Sequence, residues 1–181
     1  MSEGGPSRNS AEPAQRAELV VEVVRHGGAR EASGISDATV ELAAHAAFAV
    51  APPRPPAFYE ITIVLTDDVE MREINRSWRD KDAPTNVLSF PAGDAPGEPR
   101  FLGDVVIAYE TALKEAIESG VPLADHISHL AVHGILHLLG FDHIDDEAAE
   151  RMEGLERTAL ASLGVADPYR GGETALAEVS P

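Results

Sequence analysis

The chain has 181 residues, 14 Lys+Arg against 31 Asp+Glu, seven His and no Cys, a formal net charge of −17. That length suits one domain with tails, and the absence of Cys excludes disulfides, cysteine zinc clusters and a thiol nucleophile, so any metal must be held by His and carboxylates. No stretch approaches the roughly 18 consecutive apolar residues of a membrane span, and the N-terminus lacks the apolar run of a signal peptide, so the expected location is the cytoplasm. The acid excess is uneven: residues 101–181 carry −11 of the −17. Against that trend Arg72, Arg76, Arg79 and Lys81 fall within ten residues, where an anion would be met.

Residues 1–18 are mostly Gly, Pro, Ser and charge, and are expected to be a disordered extension. The folded domain is expected over 19–169, followed by a flexible tail over 170–181. The β-branched run at 19–24 predicts a strand and 27–34 a Gly-rich loop. Ser36 or Asp37 then caps a helix with Val40, Ala43, Ala44, Ala47 and Phe48 at helical spacing, which the prolines at 52–56 stop. Residues 58–65 form the clearest strand, and Asp67 with Glu70 resembles a capping box opening a helix to about Arg76. A polar loop is expected over 78–84, a third strand over 86–90 ended by Pro91, and a fourth over 103–108. Helices follow over 111–119, 123–139 and about 145–163. The order β, α, β, α, β, β, α, α, α predicts an α+β fold: a small mixed four-stranded sheet covered by about five helices. Strands separated by helices are expected to pair parallel, and the adjacent third and fourth antiparallel.

The chemistry concentrates in His133-Gly-Ile-Leu-His137-Leu-Leu-Gly140-Phe-Asp-His143. Two His four apart project from one face of a helix, close enough for both nitrogens to reach one Zn²⁺ at about 2.1 Å. Gly140 permits the positive φ that turns the chain, so His143 can approach the same ion from another side. With seven His, such a triplet would arise by chance in about one chain in a hundred. Three ligands leave a fourth position for water, as in catalytic zinc sites. The metal site therefore sits on the long penultimate helix and its following turn, with one ion per chain; an N₃ donor set also accepts other divalent metals.

The spacing also fits the skeleton of metzincin peptidases, which follow the first His with a Glu as general base; here that position is Gly134. Either a hydroxide attacks directly, or the substrate supplies the nucleophile. His126 and His129 share a face with His133 and His137, and either could sit beside the metal or belong to a half-buried polar stripe. Asp142 could orient a ligand or cap the next turn. Asp104 is a lesser candidate, and Thr85, Asn86 and Ser89 could contact substrate or close their own turn. Arg79 would fork onto a phosphate or be a solvated charge; Arg72 and Arg76, four apart, more often form a solvated face.

The string HGILHLLGFDH resembles the signature of the YbeY family of endoribonucleases and ribosomal-RNA maturation factors. Residues 78–91, WRDKDAPTNVLSFP, are similar to the family's aromatic-Arg-x-Lys-Asp segment and its T-[ND]-V-L-S-F-P run; Leu102-Gly-Asp-Val-Val-Ile107 and the closing Asp167-Pro-Tyr169 also fit. The resemblance covers about residues 58–169. It implies zinc bound by His133, His137 and His143, with Arg79 functional and His133 both ligand and catalytic. It further implies a single-strand-specific endoribonuclease acting on ribosomal RNA, including the 3′ end of the small-subunit RNA, in maturation and quality control. The small ribosomal subunit and its proteins would be partners. The alternatives are a non-catalytic ribosome-assembly or RNA-binding factor with a structural zinc, which a fourth ligand such as His129 or Asp142 would favour, and a metzincin-like zinc peptidase.

Overall fold

The computed structural model describes residues 17–30, 34–53, 57–93 and 99–170. The expected extension and tail therefore lie, apart from residues 17, 18 and 170, outside the described residues. Four strands form one sheet: β1 (Glu18–Arg25), β2 (Phe58–Thr66), β3 (Val87–Pro91) and β4 (Arg100–Ala108). The helices are α1 (Asp37–Val50), α2 (Asp68–Arg79), α3 (Tyr109–Ser119), α4 (Leu123–Leu138) and α5 (Asp146–Ser162), and the segment read as a Gly-rich loop contains a 3₁₀ turn, Gly27–Arg30. No helix among the described residues is long and apolar enough to cross a membrane.

The strand order is β1-β2-β4-β3, with β1, β2 and β4 parallel and β3 antiparallel to β4. The expected mixed sheet is therefore present, and the order that the sequence left open puts β3 at an edge. Side chains alternate across the sheet. Ile61, Ile63, Leu65, Val105 and Ile107 point to one face and are fully buried against Val40, Ala43, Ala44 and Ala47 of α1 and Ile127, Leu130, Ala131 and Ile135 of α4. Each such Ile or Leu contributes about 1.5–3 kcal/mol. Leu88, Val106 and Ala108 point to the other face and meet Met71 of α2. Thus α2 lies on one side of the sheet, and α1 and α4 on the other. Every residue from His126 to Leu138 is buried, which makes α4 the central helix and explains its near-continuous apolar sequence.

Local chemistry accounts for the boundaries. Ser36 caps α1 by accepting from the Thr39 N–H at 3.2 Å, and Asp67 caps α2 by accepting from the Glu70 N–H at 2.9 Å. The capping box is only half made, because the Glu70 carboxylate turns instead to the Thr66 hydroxyl and His26 Nδ1. Helix α2 continues to Arg79, three residues past the expected end, so Trp78 and Arg79 belong to its last turn rather than to a loop. Asp80 takes the left-handed conformation at φ 55° that glycine usually supplies, and its N–H bonds to the Arg76 carbonyl. The loop beyond folds back onto the helix: Asn75 Nδ2 donates to the Ala83 carbonyl at 2.7 Å, and Arg72 pairs with Asp82 through two bonds of 2.8 Å.

Strand β4 begins three residues earlier than the sequence pattern suggests, because pairing with β2 extends it through Arg100 and Phe101. The register shifts between Glu60 and Ile61, opposite Phe101 and Gly103. Gly103 has φ +137°, and a Cβ there would lie 2.2 Å from the Phe90 carbonyl oxygen, so only glycine fits. Pro91 still pairs within β3, opposite Gly103. Helix α3 begins at Tyr109, two residues early, where Asp68 accepts from the Thr111 N–H and hydroxyl while the Asp68 N–H donates to Glu110.

Candidate metal centre

Helix α4 ends where its sequence says it should. Gly140 takes φ +88°, its N–H bonds to the His137 carbonyl, and the Phe141 N–H reaches back to the Leu136 carbonyl at 3.0 Å. The reversed chain carries His143 beside the two helical histidines. His133 and His137 have ring centroids 4.7 Å apart, and His143 lies 5.7 Å from the first and 5.2 Å from the second. One nitrogen from each of the three rings falls within 4.8 Å of the others. His133 and His137 are buried and His143 is half-buried.

Tetrahedral geometry with bonds of about 2.1 Å puts two donor nitrogens about 3.4 Å apart. His133 Nε2 and His137 Nε2 stand 3.1 Å apart, close to that spacing, and His143 offers a nitrogen within 4.8 Å of those of the other two rings. The protonation states suit ligation. His133 Nδ1 donates to Glu156 Oε1 at 2.7 Å; a carboxylate only accepts, so the proton sits on Nδ1 and the Nε2 lone pair faces the cluster. Burial lowers the pKa of His133, outweighing the pull of Glu156. Burial, with repulsion from His133 and His143, lowers that of His137 to about 4. Both rings are therefore neutral donors at neutral pH, and a three-histidine divalent metal site fits the residues present.

A prediction follows for the metal-free protein. Unfolded His137 takes up a proton near pH 6.5, whereas the folded ring refuses it until about pH 4. Stability is thus undiminished above about pH 6.5 and falls as pH drops toward 4, by up to about 3 kcal/mol from this group. Urea denaturation of chelator-treated protein at several pH values is expected to show this slope, and to show a flatter one for His137→Gln. Equal slopes would contradict a neutral, buried His137.

Glu156 is the residue the sequence reading missed. It lies on the buried face of α5 with Met152, Ala159 and Leu160, and is 1% exposed. Its Oε1 serves His133; its Oε2 accepts from His129 Nε2 at 3.2 Å and from the Tyr169 hydroxyl. Burial would raise its carboxyl pKa, but the His129 and His133 hydrogen bonds override that and hold it well below the usual carboxylate range. A charged residue in register with apolar positions on an amphipathic helix was the available signal.

The other candidates separate. His129 turns toward Glu156 rather than into the three-histidine cluster, and its Nδ1 is buried without a hydrogen-bond partner. His126 Nε2 meets Glu115 on α3 at 2.8 Å, and the same carboxylate accepts from Asn86 Nδ2. Asp142 accepts from the N–H of the next residue, His143, at 2.7 Å. Neither candidate fourth ligand, His129 or Asp142, joins the cluster. Ser89 donates to the Gly134 carbonyl at 2.9 Å, tying β3 to α4 beside His133. Phe90, the next residue of β3, faces the other way and meets Trp78 edge-on at 5.5 Å. Arg79 follows Trp78, half-buried at the end of α2, and is not part of the histidine cluster. Arg72 is held by Asp82, and Arg76 is exposed. Asp104 pairs with Phe90 within the sheet.

Gly134 explains why no peptidase base stands here. A Cβ at that position would lie 2.6 Å from Val105 Cγ1 and 3.0 Å from Ser89 Oγ, so the helix face that would carry a glutamate is pressed against the sheet.

An α+β domain whose central helix and following turn bring together three histidines that could hold a metal ion defines a class of protein, and comparison with known proteins narrows it. A family model described as Endoribonuclease YbeY matches residues 30–164. Proteins named Endoribonuclease YbeY are similar over most of the chain. That of Parvibaculum lavamentivorans is 45% identical over 180 residues, covering 93% of this chain and 95% of its own. That of Rhodopseudomonas palustris strain CGA009 is 46% identical over 170 residues, covering 92% and 89%, and that of Paramagnetospirillum magneticum is 55% identical over 121 residues, covering 64% and 74%. The solution structure of TM1509 from Thermotoga maritima shares the fold, with a TM-score of 0.52 at 19% identity over 83% of this chain and 99% of that one. The chain belongs to the YbeY family of endoribonucleases, hydrolases that cleave phosphodiester bonds within RNA.

Proposed function

We propose that this chain is a zinc-dependent, single-strand-specific endoribonuclease of ribosomal-RNA processing. It acts in the cytoplasm near the 3′ end of the small-subunit RNA, in maturation and quality control, with the small ribosomal subunit and its proteins as partners. Residues 19–169 are the working domain, flanked by the extension over 1–18 and the tail over 170–181. The observation that carries this reading is the convergence of His133, His137 and His143 with neither His129 nor Asp142 joining them. A structural zinc is closed by four protein ligands, whereas a catalytic one keeps a position for water or substrate.

A zinc ion held by the three imidazoles supplies Lewis acidity and a water of lowered pKa. The protein's own contribution is positional. Burial keeps His133 and His137 neutral, and the carboxylate of Glu156 keeps the His133 proton on Nδ1. Gly134 offers no proton acceptor, so the base is not a side chain at that position. Arg79 grips the phosphate: its guanidinium can meet two non-bridging oxygens in parallel bonds and offset the charge that builds on them. Its chain neighbour Trp78 meets Phe90, the residue after the Ser89 that bonds the Gly134 carbonyl beside His133, and this supports that role.

The test is cleavage of a single-stranded ribosomal-RNA fragment by wild type, Arg79→Ala and Arg79→Lys, each checked for metal content. Arg79→Ala is expected to lose about 10²-fold in kcat/KM with metal content unchanged. Arg79→Lys should recover part of it, because an ammonium carries the charge without the fork. Equal cleavage by all three would remove Arg79 from the site.

A further inference from the structure

The carboxylate of Glu156 is held from three directions although it belongs to none of the motifs. Oε1 faces His133 at 2.7 Å, and Oε2 takes both His129 Nε2 at 3.2 Å and the Tyr169 hydroxyl. Tyr169 arrives by a built route. After α5 the chain turns at Gly164, with φ +75°, and the Val165 N–H bonds back to the Leu160 carbonyl. Asp167 Oδ1 then accepts from the Tyr169 N–H at 3.0 Å, closing the following turn.

Arg157 clamps that turn from α5. Its guanidinium carbon sits 5.3 Å from the Tyr169 ring centroid, its Nε is 3.8 Å from Asp167 Oδ1, and its Nη2 bonds Glu153 at 2.8 Å. The Tyr169 ring also packs edge-on against His129 at 5.8 Å. The segment after the last helix is thus fastened behind the histidine cluster, with its one hydroxyl on the carboxylate that faces His133.

We propose that Glu156 and Tyr169 are positioning residues for the metal centre: the C-terminal turn, through the Tyr169 hydroxyl, locks the Glu156 carboxylate in the one orientation that keeps His133 protonated on Nδ1 and its Nε2 free to ligate. The proposal rests on the reading of His133, His137 and His143 as metal ligands. With both oxygens held, the carboxylate cannot rotate, and His133 cannot exchange its two nitrogens without breaking a buried charge-assisted hydrogen bond. Removing the hydroxyl frees Oε2 from the turn, and the orientation of His133 is shared among more states. Carboxylates behind a ligand histidine set metal affinity by 10–100-fold in general.

The experiment uses the full chain and Co²⁺ as the probe, with affinity read from its visible absorption and the His133 tautomer from imidazole ¹⁵N shifts of the metal-free protein. Glu156→Gln is expected to bind Co²⁺ about 10–100-fold more weakly and to show His133 no longer confined to the Nδ1–H form. Tyr169→Phe keeps the ring contacts with His129 and Arg157, so it folds even if Glu156→Gln does not; it is expected to weaken Co²⁺ by about tenfold with the same tautomer signature. His137→Ala is the reference, expected to lose Co²⁺ altogether. If it does so while Tyr169→Phe binds as wild type does and keeps the Nδ1–H form, the positioning role is overturned and the metal site stands. If His137→Ala binds Co²⁺ as tightly as wild type, the metal reading and this proposal both fall.

Discussion

Replacing His137 with alanine is expected to abolish metal retention and to lower RNA cleavage by about 10³-fold or more, since a catalytic metal contributes several kcal/mol to transition-state stabilisation. The residue is buried and its Nε2 is 3.1 Å from that of His133, so its loss takes away one of the three nitrogens of the cluster. Stability should respond differently. The deletion removes a buried neutral ring, so the variant should be somewhat less stable than the metal-free wild type at pH 7.5 and closer to it at pH 5, where wild type loses the stability tied to His137. Metal content by mass spectrometry, cleavage of a single-stranded ribosomal fragment and urea denaturation together separate these effects. A variant that keeps its metal and its activity would show that His137 is a buried core histidine.

The second large effect is on folding. Gly134→Ala is expected to destabilise the metal-free protein by about 1–2 kcal/mol, although alanine in a helix is ordinarily worth up to about 1 kcal/mol over glycine. The added Cβ would meet Val105 Cγ1 at 2.6 Å, and valine has little χ1 freedom with which to yield. It would also crowd Ser89 Oγ at 3.0 Å, which is held in place by its bond to the Gly134 carbonyl. Gly134→Glu should lose more than about 4 kcal/mol, because it adds a buried carboxylate without a partner to the same clash. Denaturant titration checks both. An alanine variant as stable as wild type would mean that α4 has slack against β4, and that the missing glutamate has no steric cause.

The same glycine shows how much was legible in the sequence. The spacing of His133, His137, Gly140 and His143 predicts the cluster correctly, because a helical period and one left-handed glycine are local properties of the chain. The caps at Ser36 and Asp67 and the alternating run of β2 are local as well, which is why the order of elements agrees. Departures occur where tertiary partners decide. Helix α2 runs on to Arg79 because Asp80 does the work of a C-terminal glycine while Arg72 and Asn75 fasten the following loop. Strand β4 starts at Arg100 because β2 offers it backbone partners, although the flanking Gly and Pro read as loop. Glu156 meets His133 across 23 residues and Tyr169 across 13, separations at which no periodicity reports a contact. His126 and His129 share a face with His133 and His137 as the helical period requires, yet their carboxylate partners lie on different helices, α3 and α5.

The most direct test of a metal-dependent ribonuclease built on His133, His137 and His143 is add-back. Chelator-stripped wild type and His137→Ala would each be assayed on a single-stranded ribosomal-RNA fragment before and after one equivalent of Zn²⁺. The predicted result is no cleavage by either stripped protein and recovery in wild type alone, complete at one equivalent per chain. Undiminished cleavage by stripped wild type, or equal recovery in His137→Ala, would contradict it.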